Sequence, residues 1–197
     1  MTKSTSLQSL TFLGDAEYLA FERSSEIRHE LLSGRVRAMA GAEREHNLVT
    51  GNISAELRSQ LKGKPCETYS NHMRAGAPRR SLYTYPDAVV ACGTPLFSDD
   101  RRDTLINPLL IVEVLSPSAE GYDRGEKFKC YRSIESFAEY VLVAQDRMWA
   151  DHFVKLEGIW TIRETERSIE LVTVPCVLSF WKIYDRVELV VRKGAEP

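Results

Sequence analysis

No apolar run in this chain approaches the length needed to cross a bilayer, and the opening MTKSTSLQSL lacks the hydrophobic core of a secretory signal. The expectation is a cytoplasmic protein with no membrane partner. Neither sign of charge is in excess: 26 Lys and Arg stand against 28 Asp and Glu, a net charge of -2. Global electrostatics therefore gives no support for a polyanionic partner, although a local basic patch on a near-neutral protein suffices for one. Cysteine is sparse. Cys66, Cys92, Cys130 and Cys176 lie far apart with no CxxC pair, which excludes a zinc ribbon and a thioredoxin-type site and reads as reduced, buried thiols. Also missing are a P-loop, GxSxG, HExxH and any paired-glycine nucleotide motif, so ATPase, nucleophile-elbow hydrolase and dehydrogenase readings lapse.

What is there begins with Asn107 to Leu115, NPLLIVEVL. It is short, apolar and β-branched, bounded by Pro108 and Pro117, and reads as a strand buried on both faces. Glu113 stands in its middle. An ionised carboxylate there costs several kcal/mol unless a cation, a metal or a proton relieves it. Either an Arg partner or a metal ion would serve, and the strand alone does not choose.

The 197 residues, 43% hydrophobic and 27% charged, suit one globular domain, read as 15–197 behind a lead-in over 1–14. A short helix is expected over 15–22, with Ala16, Leu19 and Ala20 on one side. A β-hairpin follows over 28–41, RHELLSGRVRAMAG, turning at Ser33-Gly34. From 43 to 62 the apolar positions Leu48 (with Val49), Ile53, Leu57 and Leu61 form the stripe of an amphipathic helix, ended by Gly63 and Pro65. Residues 66–76 read as one strand, 77–83 as a basic loop, and 84–93 as another strand. The charged loop 93–107 is long enough to be functional or mobile. After the central strand come a helix over 123–133 turning Phe128, Tyr131 and Ile134 inward, and a buried strand over 138–144. More exposed strands near 148–156, 160–163 and 168–174 and a short helix over 180–186 complete the chain. The order gives an α/β (α+β) class: a mixed central β-sheet flanked by helices, with an N-terminal hairpin and additional C-terminal strands.

Asp87 opens its strand directly after Pro86, a residue that has no N–H to give a ladder. If that strand neighbours the one carrying Glu113, two carboxylates converge and raise each other's pKa unless a cation sits between them. A hard divalent ion such as Mg²⁺ or Mn²⁺ is the usual solution, and it activates water and polarises phosphoryl oxygens.

Pro86-Asp87, Glu113 in VEVLSPS, Asp123-Arg124-Gly125-Glu126-Lys127 and Tyr131, with the hairpin and the EHN that follows it, resemble the Uma-type putative restriction endonucleases. That family belongs to the PD-(D/E)XK nuclease superfamily, and the likeness covers roughly 15–190. It implies a restriction-endonuclease-like fold and Mg²⁺- or Mn²⁺-dependent hydrolysis of DNA, with Asp87 and Glu113 as metal ligands. One position departs. The superfamily places a Lys two residues after the Glu, where this chain has Leu115 on the same strand face. The resemblance implies that the Lys has moved to the next helix, which makes Lys127 the third catalytic residue. Asp123, Lys127 and Tyr131 share one helix face at that spacing.

Secondary candidates are Glu30, resembling the acidic residue that the superfamily supplies from its N-terminal element, and His46 at the start of the long helix. Asp123 and Tyr131 join them through their shared face with Lys127. For DNA the chain offers Arg74, Arg79 and Arg80, interleaved with Tyr83 and Tyr85, and Arg101 and Arg102 in the long loop. By analogy with nucleases that cut both strands, a homodimer is expected. The alternative is a non-cutting nucleic-acid- or protein-binding module on the same fold, with Leu115 as the mark of lost chemistry.

Overall fold

The computed structural model describes residues 12–70, 72–116, 119–165 and 167–189. Most of the lead-in over 1–14, and Pro117 behind the central strand, lie outside them. In chain order the first elements are α1 (Asp15–Ser24), β1 (His29–Leu32), β2 (Arg35–Ala38) and α2 (Arg44–Gln60). The hairpin turns at Ser33 and Gly34, both at positive φ (50° and 82°), as a two-residue turn matched to strand twist requires. Helix α2 buries Val49, Ile53 and Leu57 along the expected stripe. Helix α1 differs from expectation: Tyr18 and Glu22 face inward while Ala16 and Ala20 are exposed. Two alanines offer little apolar area, whereas the Tyr18 ring packs on Leu31 and Tyr83 and its hydroxyl donates to the His29 carbonyl at 2.5 Å.

Residues 66–76 are not one strand but two, β3 (Cys66–Ser70) and β4 (Arg74–Ala77), in different sheets. The Ser70 carbonyl accepts the Met73 N–H at 3.0 Å in a turn between them. The expected 84–93 strand divides likewise into β5 (Leu82–Thr84) and β6 (Ala88–Cys92). Tyr85-Pro86-Asp87 carries the chain from one sheet to the other, and the missing N–H of Pro86 suits that crossing.

The rest comprises β7 (Thr104–Leu105), β8 (Leu110–Leu115), a helix α3 over 120–131, β9 (Glu139–Ala144), β10 (Ala150–Leu156), β11 (Ile159–Thr165), β12 (Ser168–Glu170) and β13 (Val177–Ser179). A final helical turn, Phe180–Ile183, follows. The larger sheet has the order β11-β10-β9-β8-β6-β3, and β8 with β9 is its one parallel pair among the described residues. One face packs Val112, Val114, Val141 and Val143 on Val49, Ile53 and Leu57 of α2. The other packs Ile111, Tyr140 and Leu142 on Phe128, Tyr131 and Phe137 at and beyond α3. Strand β10, expected to be exposed, is mostly buried: it lies between β9 and β11, with Ala150 in one core and Phe153 packed against the other. The smaller sheet has the order β2-β1-β5-β4-β7. There Gly76 permits the close β4–β7 approach, since a Cβ would stand 2.8 Å from the Thr104 methyl.

Two cysteines also correct the reading. Cys66 and Cys92 lie opposite each other on antiparallel β3 and β6 and form a disulfide, whereas Cys130 and Cys176 are buried thiols as expected. A long connection brings β3 to β6, so spacing in the chain does not announce the pair. Among the described residues no helix is long and apolar enough to cross a membrane.

The 93–107 loop is tied down. Asp103 accepts from Arg23 Nε at 2.8 Å and pairs with Arg74 Nη2 at 2.6 Å, while Arg23 also reaches Asp99 at 2.7 Å. The hydrogen bond from Arg23 holds the Asp103 carboxyl well below the usual carboxylate range, against the opposing effect of burial, and Arg74 adds to it. A carboxylate with a depressed folded pKa stabilises the protein above its ordinary pKa of about 4 and loses that contribution as pH falls. We therefore expect Asp103→Asn to lower the urea midpoint at pH 6 and to differ less from wild type at pH 3. A gap independent of pH would show that Asp103 acts through packing alone.

Candidate active site

The site forms where the two sheets meet, at the C-terminal end of β8. Ala88 of β6 lies opposite Val112 of β8, so one further step places Asp87 beside Glu113. The Val114 N–H donates to Asp87 Oδ2 at 2.7 Å and fixes that carboxylate. From the smaller sheet comes Glu30, whose strand pairs with β5 in a register that sets Glu30 near Thr84. From the helix comes Lys127. Its stretch Asp123–Lys127 is a π turn inside α3, a local widening that recurs at functional sites.

Lys127 is the centre of the arrangement. Its Nζ lies 2.8 Å from Glu113 Oε1, 3.0 Å from Glu30 Oε1 and 3.3 Å from Asp123 Oδ1. Only 4% of Lys127 is exposed, which excludes a solvated surface lysine. The Tyr131 hydroxyl donates to Glu113 Oε1 at 3.1 Å and is itself paired with the Thr84 hydroxyl. His46, at the start of α2, sits with Nε2 3.4 Å from Asp87 Oδ2. Glu30, Asp87, Glu113, Asp123, Lys127, His46 and Tyr131 thus come together from both sheets and two helices.

The electrostatics follow from the excess of carboxylates over cations. Burial pushes Glu113 well above the ordinary carboxylate range; Lys127 opposes this, while Asp123, Asp87 and Glu30 add to it. Asp123 is raised in the same way, by burial first and then by Glu30, against Lys127. Burial disfavours the charged form of Lys127, but Glu113 and Glu30 outweigh it and raise its pKa well above the ordinary lysine range. For His46, burial is likewise outweighed, here by the hydrogen bond and charge of Asp87, and its pKa rises.

The divalent ion that the family resemblance implies has to be held by this donor set. Among the described residues no group of three or more His, Cys, Asp or Glu side chains is placed to hold a metal. The set on offer is Asp87 with Glu113. Asp87 uses Oδ2 for Val114 and His46, and Glu113 uses Oε1 for Lys127 and Tyr131, so Oδ1 and Oε2 take no hydrogen bond from the described residues. Two hard oxygens on adjacent strands, in a pocket short of positive charge, fit Mg²⁺ or Mn²⁺ with waters completing the shell.

The basic residues divide. Arg74 does not face a substrate: it is buried, with Nε on Thr104 Oγ1 at 2.9 Å and its guanidinium on Asp103. Tyr83 and Tyr85 are buried too, their hydroxyls donating to Asp15 and Glu22, so neither ring is free to stack on a base. Arg79 and Arg80 are exposed on the Pro78–Arg80 turn, at the opposite end of β5 from Thr84. Arg101 and Arg102 are exposed in the pinned loop. Sequence reasoning missed Thr84, which orients Tyr131, and Tyr122, whose ring lies 5.8 Å from Lys127 Nζ. Tyr122, one residue before Asp123 in the helix motif, was the findable one.

Comparison with known proteins gives a consistent picture. Two uncharacterized proteins of Synechocystis sp. are related in sequence. The protein sll1609 is 35% identical over 76% of this chain and 85% of its own, and slr1290 is 33% identical over 85% and 88%. The crystal structure of a putative nuclease of the DUF820 type from Anabaena variabilis superposes with a TM-score of 0.70. At 16% identity it covers 87% of this chain and 97% of that one, and the shared feature is the fold. The model of the Uma2 family, described as "putative restriction endonuclease", matches residues 15–187, and the chain belongs to that family.

Proposed function

We propose that the protein is a divalent-metal-dependent DNA endonuclease that hydrolyses phosphodiester bonds at the junction of its two sheets. The observation that carries this reading is the convergence of Asp87 and Glu113, from adjacent strands, with a fully buried ammonium from the following helix. Asp87 and Glu113 would hold Mg²⁺ or Mn²⁺, which when bound polarises a phosphoryl oxygen and acidifies water. The protein's own part is positioning. Tyr131 and Thr84 fix the Glu113 carboxylate. His46 and the Val114 N–H hold Asp87. Lys127, anchored by Glu30 and Asp123, keeps a proton at the centre of the site, where it stabilises the charge that builds on the phosphoryl oxygens. The position lost at Leu115 is thereby supplied from α3. The same reading carries DNA as partner, action in the cytoplasm, and a homodimer where both strands are cut.

A second reading, a non-cutting binding module, is favoured by one observation: Lys127 already neutralises Glu113 with no metal needed. The two separate on stability and on chemistry. Lys127→Met leaves Glu113, Glu30 and Asp123 without their cation and should destabilise the metal-free protein by about 3 kcal/mol, as loss of one partner of a buried pair commonly does. Mg²⁺ or Mn²⁺ should raise the melting temperature of wild type, and Glu113→Gln should abolish that rise. A Glu113→Gln protein that still gains stability from metal would remove Glu113 from the ligand set.

Cleavage is measured in single turnover on plasmid DNA, below the melting temperature of each variant. Wild type should nick with Mg²⁺ or Mn²⁺, and Asp87→Asn and Glu113→Gln should not. Lys127→Ala should lose about 10²-fold or more, as removal of a transition-state donor does. Lys129→Ala, whose side chain is exposed on the same helix, should keep most activity. A wild type that cuts with neither ion makes the binding module the better account.

A further inference from the structure

The nuclease reading needs positive charge at the mouth of the site, and Arg74, Arg79 and Arg80 do not supply it. Arg74 is locked inside, and Arg79 and Arg80 sit at the far end of β5. The β-hairpin supplies an alternative. In the β1–β2 register Glu30 lies directly opposite Arg37, and such partners project from the same face of the sheet. A cross-strand Glu and Arg would ordinarily pair with each other. Here Glu30 is turned inward to Lys127, and the exposed Arg37 guanidinium lies over the Tyr122 ring, 5.0 Å from its centre. Lys127 Nζ approaches that same ring at 5.8 Å. One aromatic ring therefore stands beside both the buried cation of the site and an exposed one.

Arg37 makes no ion pair with a carboxylate among the described residues, unlike Arg23, Arg44, Arg74, Arg124 and Arg147. It also lies on β2, the outermost strand of the smaller sheet among the described residues, where Phe12 bridges to Arg35. A guanidinium held against a ring keeps its N–H edges available for a planar, two-point grip on an anion. Arg28, one residue before β1, lies over the Tyr85 ring at 5.5 Å and is hydrogen-bonded to His72 at 2.7 Å.

We propose that Arg37 is a phosphate-binding residue at the entrance of the site, gripping the DNA backbone next to the bond to be cut. The proposal rests on the nuclease reading and adds to it a specific contact and its location on the hairpin. Backbone contacts of this kind set register and orientation without reading sequence.

The test is fluorescence anisotropy of a labelled DNA duplex of arbitrary sequence, without added metal so that no cleavage occurs, over a series of salt concentrations. Arg37→Ala should weaken binding by about tenfold, the scale of one lost charge-assisted contact, and should lower the slope of log affinity against log salt by about one. Arg37→Lys should recover the slope, because the charge remains, but only part of the affinity, because the fork and the stacking are gone. Lys129→Ala serves as the exposed-cation control and should match wild type. Because Arg37 is exposed, its variants should melt with wild type. If wild type binds and Arg37→Ala binds equally well with the same slope, the contact is wrong and the nuclease reading stands. If wild type does not bind DNA, both fall together.

Discussion

An ammonium group buried among carboxylates is the constraint on which the rest of this structure depends. Lys127 cannot be withdrawn from water without partners, and Glu113, Glu30 and Asp123 cannot be brought together without a cation. Each satisfies the other, and in doing so joins three parts of the chain. Glu113 belongs to the central strand of the larger sheet, Glu30 to the hairpin of the smaller one, and Lys127 with Asp123 to the helix between. The geometry of the site is therefore also the geometry of the junction.

Around this centre lies a second polar layer that fixes the hairpin. Glu22 of α1 accepts the His29 N–H at 3.0 Å and the Tyr85 hydroxyl at 2.9 Å, and pairs with His29 Nδ1 at 3.0 Å. Arg74 links Tyr85 to Asp103. Every one of these groups is buried or half-buried, so loss of one leaves its neighbour unsatisfied. A comparable lock acts on the far side of the larger sheet, where buried Glu139 accepts from Val172 N–H and Thr173 N–H and meets His152 Nε2. The first network reaches Tyr85, two residues before Asp87, and the second ties down β9, the parallel neighbour of β8.

Much of this was legible in the sequence, and the reasons are local. Glu113 in an unbroken β-branched run signals a buried charge in need of a partner, and Ser33-Gly34 signals a tight hairpin. The apolar stripe of α2 is a helix by periodicity alone. The spacing of Asp123, Lys127 and Tyr131 put three candidate site residues on one face, and the structure buries all three there. What was not legible depends on distant pairing. Nothing near Tyr69 or Thr84 in the chain says that the next residues enter another sheet. Cys66 becomes the partner of Cys92 only once β3 meets β6. Arg74 reads as a surface cation until Asp103, from a loop that looked free, closes over it. Tyr18 and Glu22 displaced the expected alanine face of α1 because ring area and a buried hydrogen bond outweigh two methyl groups.

In the proposed function Lys127 is the resident cation, and Asp87 with Glu113 would hold a metal ion beside it. The most direct measurement is a crystal structure of the protein grown with Mn²⁺ and measured at the manganese absorption edge. The proposed metal site predicts an anomalous peak between Asp87 Oδ1 and Glu113 Oε2, with Lys127 still anchored on Glu30 and Asp123. No peak at this position under saturating Mn²⁺, with Asp87 and Glu113 ordered, would contradict it and leave the carboxylate cluster as a structural ion pair.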